Sequence, residues 1–232
     1  MDGLLFFITM AWNVDQIYEF QRKLVRKNQA GTISATDFFY TWNSEQTQYF
    51  KDLKGRFQAR NNGKTGANTG LIENETIETI LSPFTKAGTV TIAAGNGTKP
   101  SDFSYLLALR INDSQVVHIN KNQIAAVKDN VIDPPSITDN NYYYTEYQSY
   151  FLFLPNTVTS ADIDYLSNPV DVVWGYTISG GRQVYNSGTS VQPQWLQDDI
   201  IEITKRTLKT LGVAYHDNDF TQFGNSVINT GN

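Results

Sequence analysis

Gly88-Thr89-Val90-Thr91-Ile92, followed by Gly95-Asn96-Gly97, is where the hydrophobic period of this chain changes. Before it, apolar residues recur at three- and four-residue spacing, the signature of helices; from Gly88 onward they alternate, the signature of half-buried strands. Reading outward in both directions from that switch gives the fold class.

Upstream, residues 14–28 predict an amphipathic helix, with Ile17, Phe20, Leu24 and Val25 on one side and Arg22, Lys23, Arg26 and Lys27 on the other. Ser34-Ala-Thr-Asp37 has the form of a capping box, with an acid in place of the usual Glu or Gln. It opens a second helix carrying Phe38, Phe39, Trp42, Tyr49, Phe50 and Leu53, expected to fade near Gly55. The two read as an antiparallel hairpin. A polar, glycine-rich loop over 61–70 leads to a short third helix, capped by Asn74 and ended by Pro83.

Downstream, residues 103–111 and 115–119 read as strands around the Asn112-Asp-Ser114 turn, and 123–129 as a short helix. Residues 146–154 are dense in Tyr, Phe and Leu and read as one buried strand, and 162–166 alternate cleanly. Tyr176–Ser179 and Arg182–Tyr185 flank Gly180-Gly181, the signal of a tight hairpin. Residues 195–211 form a last helix, acidic early and basic late, which complements the helix dipole. The expected class is α+β: a small helical bundle, made of the N-terminal hairpin and the C-terminal helix, carrying a β-rich insertion. The divisions are 1–87 helical, 88–190 the insertion, 191–212 the returning helix and 213–232 a polar C-terminal arm.

The chain has 232 residues, formal net charge −5, 13% aromatic residues and no cysteine. That composition excludes disorder, a coiled coil and a disulfide scaffold, and leaves no thiolate for catalysis or metal binding. Imidazole is limited to His118 and His216. Gly63-Lys64-Thr65 has the tail of a phosphate-binding loop, but Gln58 stands where the pattern needs glycine. Asp162 with Asp164, and Asp198 with Asp199, read as a solvated strand face and a helix N-terminus. No catalytic residue, metal or cofactor is expected, and the chain reads as no enzyme. The apolar run over 4–12 is too short to cross about 30 Å of hydrocarbon, and is expected to pack on the core or on a neighbouring subunit; no membrane partner is expected.

Charge is uneven. Residues 1–60 carry eight basic and six acidic side chains, the remainder ten and 17. Arg22, Lys23, Arg26 and Lys27 form a candidate basic face, either solvated or set toward an acidic partner. Tyr142, Tyr143 and Tyr144 form a candidate partner interface, since tyrosines suit protein and sugar surfaces alike.

Leu166-Ser-Asn-Pro169, Trp174-Gly-Tyr176, Val184-Tyr185, the segment 190–195, and Leu211-Gly-Val213 with Asp217 and Asp219 form an ordered set. With Ile17-Tyr-Glu-Phe20 near the start, this set resembles structural proteins of tailed bacteriophages infecting Bacteroidetes, including crAss-like phages. The resemblance runs over most of 14–223. It departs where the family carries two basic residues before proline, since Ser167 and Asn168 stand there. The resemblance implies a virion protein assembled in the host cytoplasm, a ring-forming head–tail connector at the portal vertex. Implied partners are further copies of itself in a closed ring of about twelve, the portal, and neighbouring ring or tail proteins, with genomic DNA close by in the channel. Phe220 and Phe223 in the arm are expected to touch a neighbouring ring. The alternatives are another virion protein, of the tail or decorating the capsid, and a carbohydrate-binding module using the tyrosine run.

Overall fold

A computed structural model describes residues 12–27, 33–61 and 70–212, with the backbone alone for 26, 27, 60, 61 and 70–75. Phe220, Phe223 and the C-terminal arm lie outside the described residues, as do the side chains of Arg26 and Lys27.

The chain divides into two compact units, one of residues 84–168 and one of the flanking segments. In the flanking unit, α1 (Val14–Lys27) opens on a reciprocal cap. Asn13 Oδ1 accepts the Gln16 N–H at 2.8 Å, and Gln16 Oε1 accepts the Asn13 N–H at 2.9 Å. α2 (Ala35–Asn61) starts on Ser34, whose hydroxyl accepts the Asp37 N–H at 3.1 Å. It runs past Gly55 rather than fading there. One exposed glycine costs a helix only about 1 kcal/mol, and burial of Phe57 on the next turn offsets it. α3 (Gly70–Leu81) starts earlier than the Asn74 cap predicts.

The other unit is a sheet of eight strands. They are β1 (Thr85–Ala93), β2 (Asn96–Thr98), β3 (Phe103–Ile111), β4 (Ser114–Gln115), β5 (Val117–His118), β6 (Tyr143–Glu146), β7 (Tyr150–Leu154) and β8 (Ser160–Ser167). A short helix, α4 (Ile124–Lys128), lies between β5 and β6. The strand order is β4-β3-β8-β1-β2-β7-β6-β5, antiparallel except for β5 with β6. The two end strands are separated in sequence by Val116 alone. Its N–H donates to Leu109 on one edge at 3.1 Å, and the Val117 N–H donates to Tyr142 on the other at 2.9 Å. One continuous stretch of chain thus stitches both edges, and the sheet nearly closes.

Several sequence expectations are corrected by this sheet. The expected strand over 115–119 breaks at Val116 because its two halves serve opposite edges. The expected strand over 146–154 is the end of β6, a turn, and β7. The β1–β2 turn is Ala94-Gly95, both at positive φ. Gly97 instead sits inside β2, where a Cβ would meet Val90 Cγ1 at 2.6 Å and Phe153 Cε2 at 2.9 Å.

Inward side chains of this unit, among them Val90, Ile92, Leu109, Ile111, Phe151, Phe153, Ile163 and Tyr165, form a core of their own. That overturns the expected fold class. The protein is a mixed α/β protein dominated by an eight-stranded, nearly closed sheet, with five α-helices among the described residues. It is not a small helical bundle with a β-rich insertion. The physical reason is long-range pairing. β1 pairs along its length with β8, Thr85 opposite Leu166, and β8 pairs with β3. The β segments therefore satisfy one another instead of leaning on helices.

The chain then returns to the first unit. β9 (Tyr176–Ser179) and β10 (Arg182–Tyr185) form a separate two-stranded ribbon, with Gly180 and Gly181 both at positive φ in its turn. α5 (Gln197–Thr210) packs along α2 and touches α1. A buried polar hub joins the returning chain to α2. Asn43 Oδ1 accepts the Val172 N–H at 2.9 Å and its Nδ2 donates to the Val172 carbonyl at 3.0 Å. Gln46 Nε2 donates to Asn43 Oδ1 and to the Val170 carbonyl, and its Oε1 accepts the Trp195 indole N–H at 3.1 Å.

Candidate interaction surfaces

The β9–β10 ribbon is anchored at its base and open at its tip. An isolated two-stranded ribbon is marginal in water, and here aromatic stacking holds it. The Trp174 ring lies 5.8 Å from Tyr176 and 6.2 Å from Tyr185 on the ribbon, and 4.9 Å from Tyr18 on α1. Its indole N–H donates to Asp15 at 3.0 Å. Gly175 is required beside it, because a Cβ there would lie 2.6 Å from the Thr189 carbonyl oxygen. Beyond the anchor, Ile178 is 65% exposed and Val184 48%. Neither edge of the ribbon is paired among the described residues.

A cleft of about 750 Å³ lies between α1 and the ribbon, walled by Tyr18, Trp174 and Tyr185, with Arg22 and Arg182 among its charged residues. Arg22 is paired to Glu19 at 2.6 Å and lies over the Tyr18 ring. Burial pushes the Tyr18 phenol above its ordinary pKa. Gln21 also lines the cleft. It is fully buried, and neither atom of its amide has a hydrogen-bond partner among the described residues.

The sequence-predicted residues are placed as follows. Tyr142 is 1% exposed, and its hydroxyl is held by Asn112, Ile137 and Asn140 at 3.3 Å each. Tyr143 and Tyr144 are half-buried on β6. Tyr144 packs between His118 and Phe151, and burial pushes its phenol up to about 12. The run thus alternates across the strand instead of presenting one face. Of the basic residues on α1, Arg22 reaches the cleft and Lys23 is exposed. Asp162 and Asp164 share the outward face of β8, hydrogen-bonded to Thr89 at 2.9 Å and ion-paired to Arg110 at 2.7 Å. Among the described residues, no group of three His, Cys, Asp or Glu is placed to hold a metal. No described helix is long and apolar enough to cross a membrane.

Sequence reading passed over Trp174 as an anchor, the Gln21 amide, and the pair Val131-Ile132, which are 92% and 96% exposed. Two consecutive aliphatics inside a polar, proline-containing loop were the available signal for the last. The sequence matches no protein-family model and no curated protein.

Proposed function

We propose that this chain is a structural protein of a tailed-phage virion, a ring-forming head–tail connector that joins portal to tail and extends the DNA channel. The observation that carries the reading is the β9–β10 ribbon, anchored at its base by Trp174, with both edges unpaired among the described residues and Ile178 and Val184 exposed on its two faces. A short ribbon whose two edges carry unpaired backbone groups is open to pairing with a neighbouring chain. The same residues carry the family resemblance: Trp174-Gly-Tyr176 forms the anchor, and Val184-Tyr185 the returning strand. A subunit that presents one projection to a different surface of its neighbour makes a heterologous contact, and such contacts close into rings when the rotation permits.

Native mass spectrometry of the purified chain over a concentration series tests this. One discrete closed oligomer, weakened by Ile178→Asp with Val184→Asp in the ribbon, is the expected result. A monomer at every concentration, with portal present or absent, refutes it.

A further inference from the structure

On the sheet unit, residues 130–141 form a loop braced by its own polar groups. Asn130 Oδ1 accepts the Ile132 and Asp133 N–H groups at 3.0 and 3.2 Å. Asn141 Nδ2 donates to Asp133 Oδ1 at 2.8 Å and to the Pro134 carbonyl at 3.1 Å, and Ser136 and Asn141 exchange backbone hydrogen bonds. This bracing holds Val131 and Ile132 outward, almost wholly in water. A loop that is both preorganised and aliphatic at its tip forfeits little freedom when it docks. Asp129 and Asp133 bracket the pair, with Lys128 one position further back.

On the helical unit, a cavity of about 330 Å³ lies between α2 and α3. It is lined by Leu53, Ile77, Ile80, the Tyr49 ring and Thr76, with Arg56, Arg206 and Asp52 as its charged groups. That is roughly ten water volumes at ~30 Å³ each, room enough for one valine and one isoleucine side chain. Arg206 is already paired, to Glu202 at 3.0 Å and Asp52 at 3.3 Å. Arg56 is exposed, with no ion-pair partner among the described residues. The groove thus offers an apolar floor and a spare positive charge, and the loop offers an aliphatic tip between two acids.

We infer that Val131 and Ile132 of one copy seat in the α2–α3 groove of a second copy, with Asp129 set against Arg56. The occupant is this chain itself, which deepens the ring reading and rests on it. Tip and groove are different surfaces, so the contact propagates from copy to copy unless two copies exchange them reciprocally, and a double-cysteine ladder that stops at the dimer would overturn the ring while keeping the docking.

The chain has no cysteine, so disulfide trapping starts from a silent background. Full-length Ile132→Cys is mixed with full-length Ile80→Cys under mild oxidation and read on a non-reducing gel. Docking raises the local thiol concentration, so the mixed pair is expected to give covalent dimer roughly tenfold or more faster than either variant alone. Arg56→Asp in the groove copy slows the trapping, and Asp129→Arg in the loop copy, which leaves the Asp133–Asn141 brace intact, restores it. Intrinsic tryptophan emission checks that the Ile80 variant is folded. A copy carrying both cysteines gives a ladder. Its length separates the two claims: a ladder ending at one ring size supports both, and an unlimited ladder keeps the docking but overturns the closed ring. Mixed and single-variant rates that are equal overturn the docking, while the native mass of the unmodified chain still decides the ring. Trapping that appears only after deletion of 213–232 assigns the groove to the chain's own C-terminal segment and overturns the inference.

Discussion

Replacing Gln46 with leucine tests the hub that fastens the returning chain to α2. Gln46 is 1% exposed and sits on the aromatic stripe of α2 between Trp42 and Phe50. Leucine keeps most of the volume and removes three hydrogen bonds, to Asn43, Val170 and Trp195. Two of those losses are mild, because Asn43 keeps its bonds to Val172, and Val170 is half exposed. The third strands the Trp195 indole N–H, which is 2% exposed. A net hydrogen bond contributes about 1 kcal/mol, and a stranded buried donor costs ~1–3 kcal/mol. The expected destabilisation is about 3 kcal/mol. At ~2 kcal/mol/M in urea this moves the midpoint by roughly 1.5 M with the slope unchanged. The four tryptophans, at 12, 42, 174 and 195, all lie in the helical unit, so their emission follows that unit selectively. In a Trp195→Phe background the stranded donor is gone, and Gln46→Leu is expected to cost at least 1 kcal/mol less. A loss under 1 kcal/mol in the native background, or an equal loss in both backgrounds, refutes the hub.

Gly97→Ala forces a methyl against Val90 and Phe153; overpacking of this kind costs about 1–3 kcal/mol, read as faster hydrogen exchange across β1, β2 and β7. Asp102 accepts from Lys86 at 2.6 Å and from the Tyr165 hydroxyl at 3.0 Å, and the Lys86 hydrogen bond holds its carboxyl below the ordinary range. A depressed carboxyl stabilises the fold above its unfolded pKa of about 3.9 and loses that contribution as pH falls through the folded value. Asp102→Asn is therefore expected to lower thermal stability at neutral pH and to flatten the acid limb of melting temperature against pH. Asp199 behaves oppositely. Burial raises its carboxyl pKa although the Tyr49 hydroxyl donates to it at 2.8 Å, so the native state holds the proton longer and stability falls as pH rises between the unfolded and folded values. Asn keeps an acceptor for Tyr49 and removes the buried charge, so Asp199→Asn is expected to raise the melting temperature at neutral pH.

What was legible in the sequence was local. The Gly180-Gly181 turn, the apolar stripe of α1 and the capping serine of α2 each depend on residues within a turn or two, and each is in place. The sheet order was not legible, because β1 pairs with β8 across 69 to 81 positions and no short-range pattern encodes that choice. Closure through Val116 was hidden for the same reason: the two edge strands it joins are neighbours in sequence, but they pair with β3 and β6, which stand near opposite ends of the sheet. Gln46 and Asn43 carry no local signal of their role, since their amides satisfy the backbone at Val170 and Val172, more than 120 positions further along the chain. The same limit applies to surfaces. The tyrosine run drew notice by composition, whereas Val131 and Ile132 become conspicuous only when the loop around them is seen to leave them uncovered.

Cryo-electron microscopy of the tailed-phage particle proposed to contain this chain, with the subunit located by side-chain density, is the decisive test of the ring reading. A closed ring at the portal vertex is expected, with the Val131-Ile132 tip covered by an adjacent copy of this chain and the β9–β10 ribbon covered by an adjacent copy or adjoining ring. Finding the chain on the capsid shell or the distal tail, or absent from the particle, would contradict it.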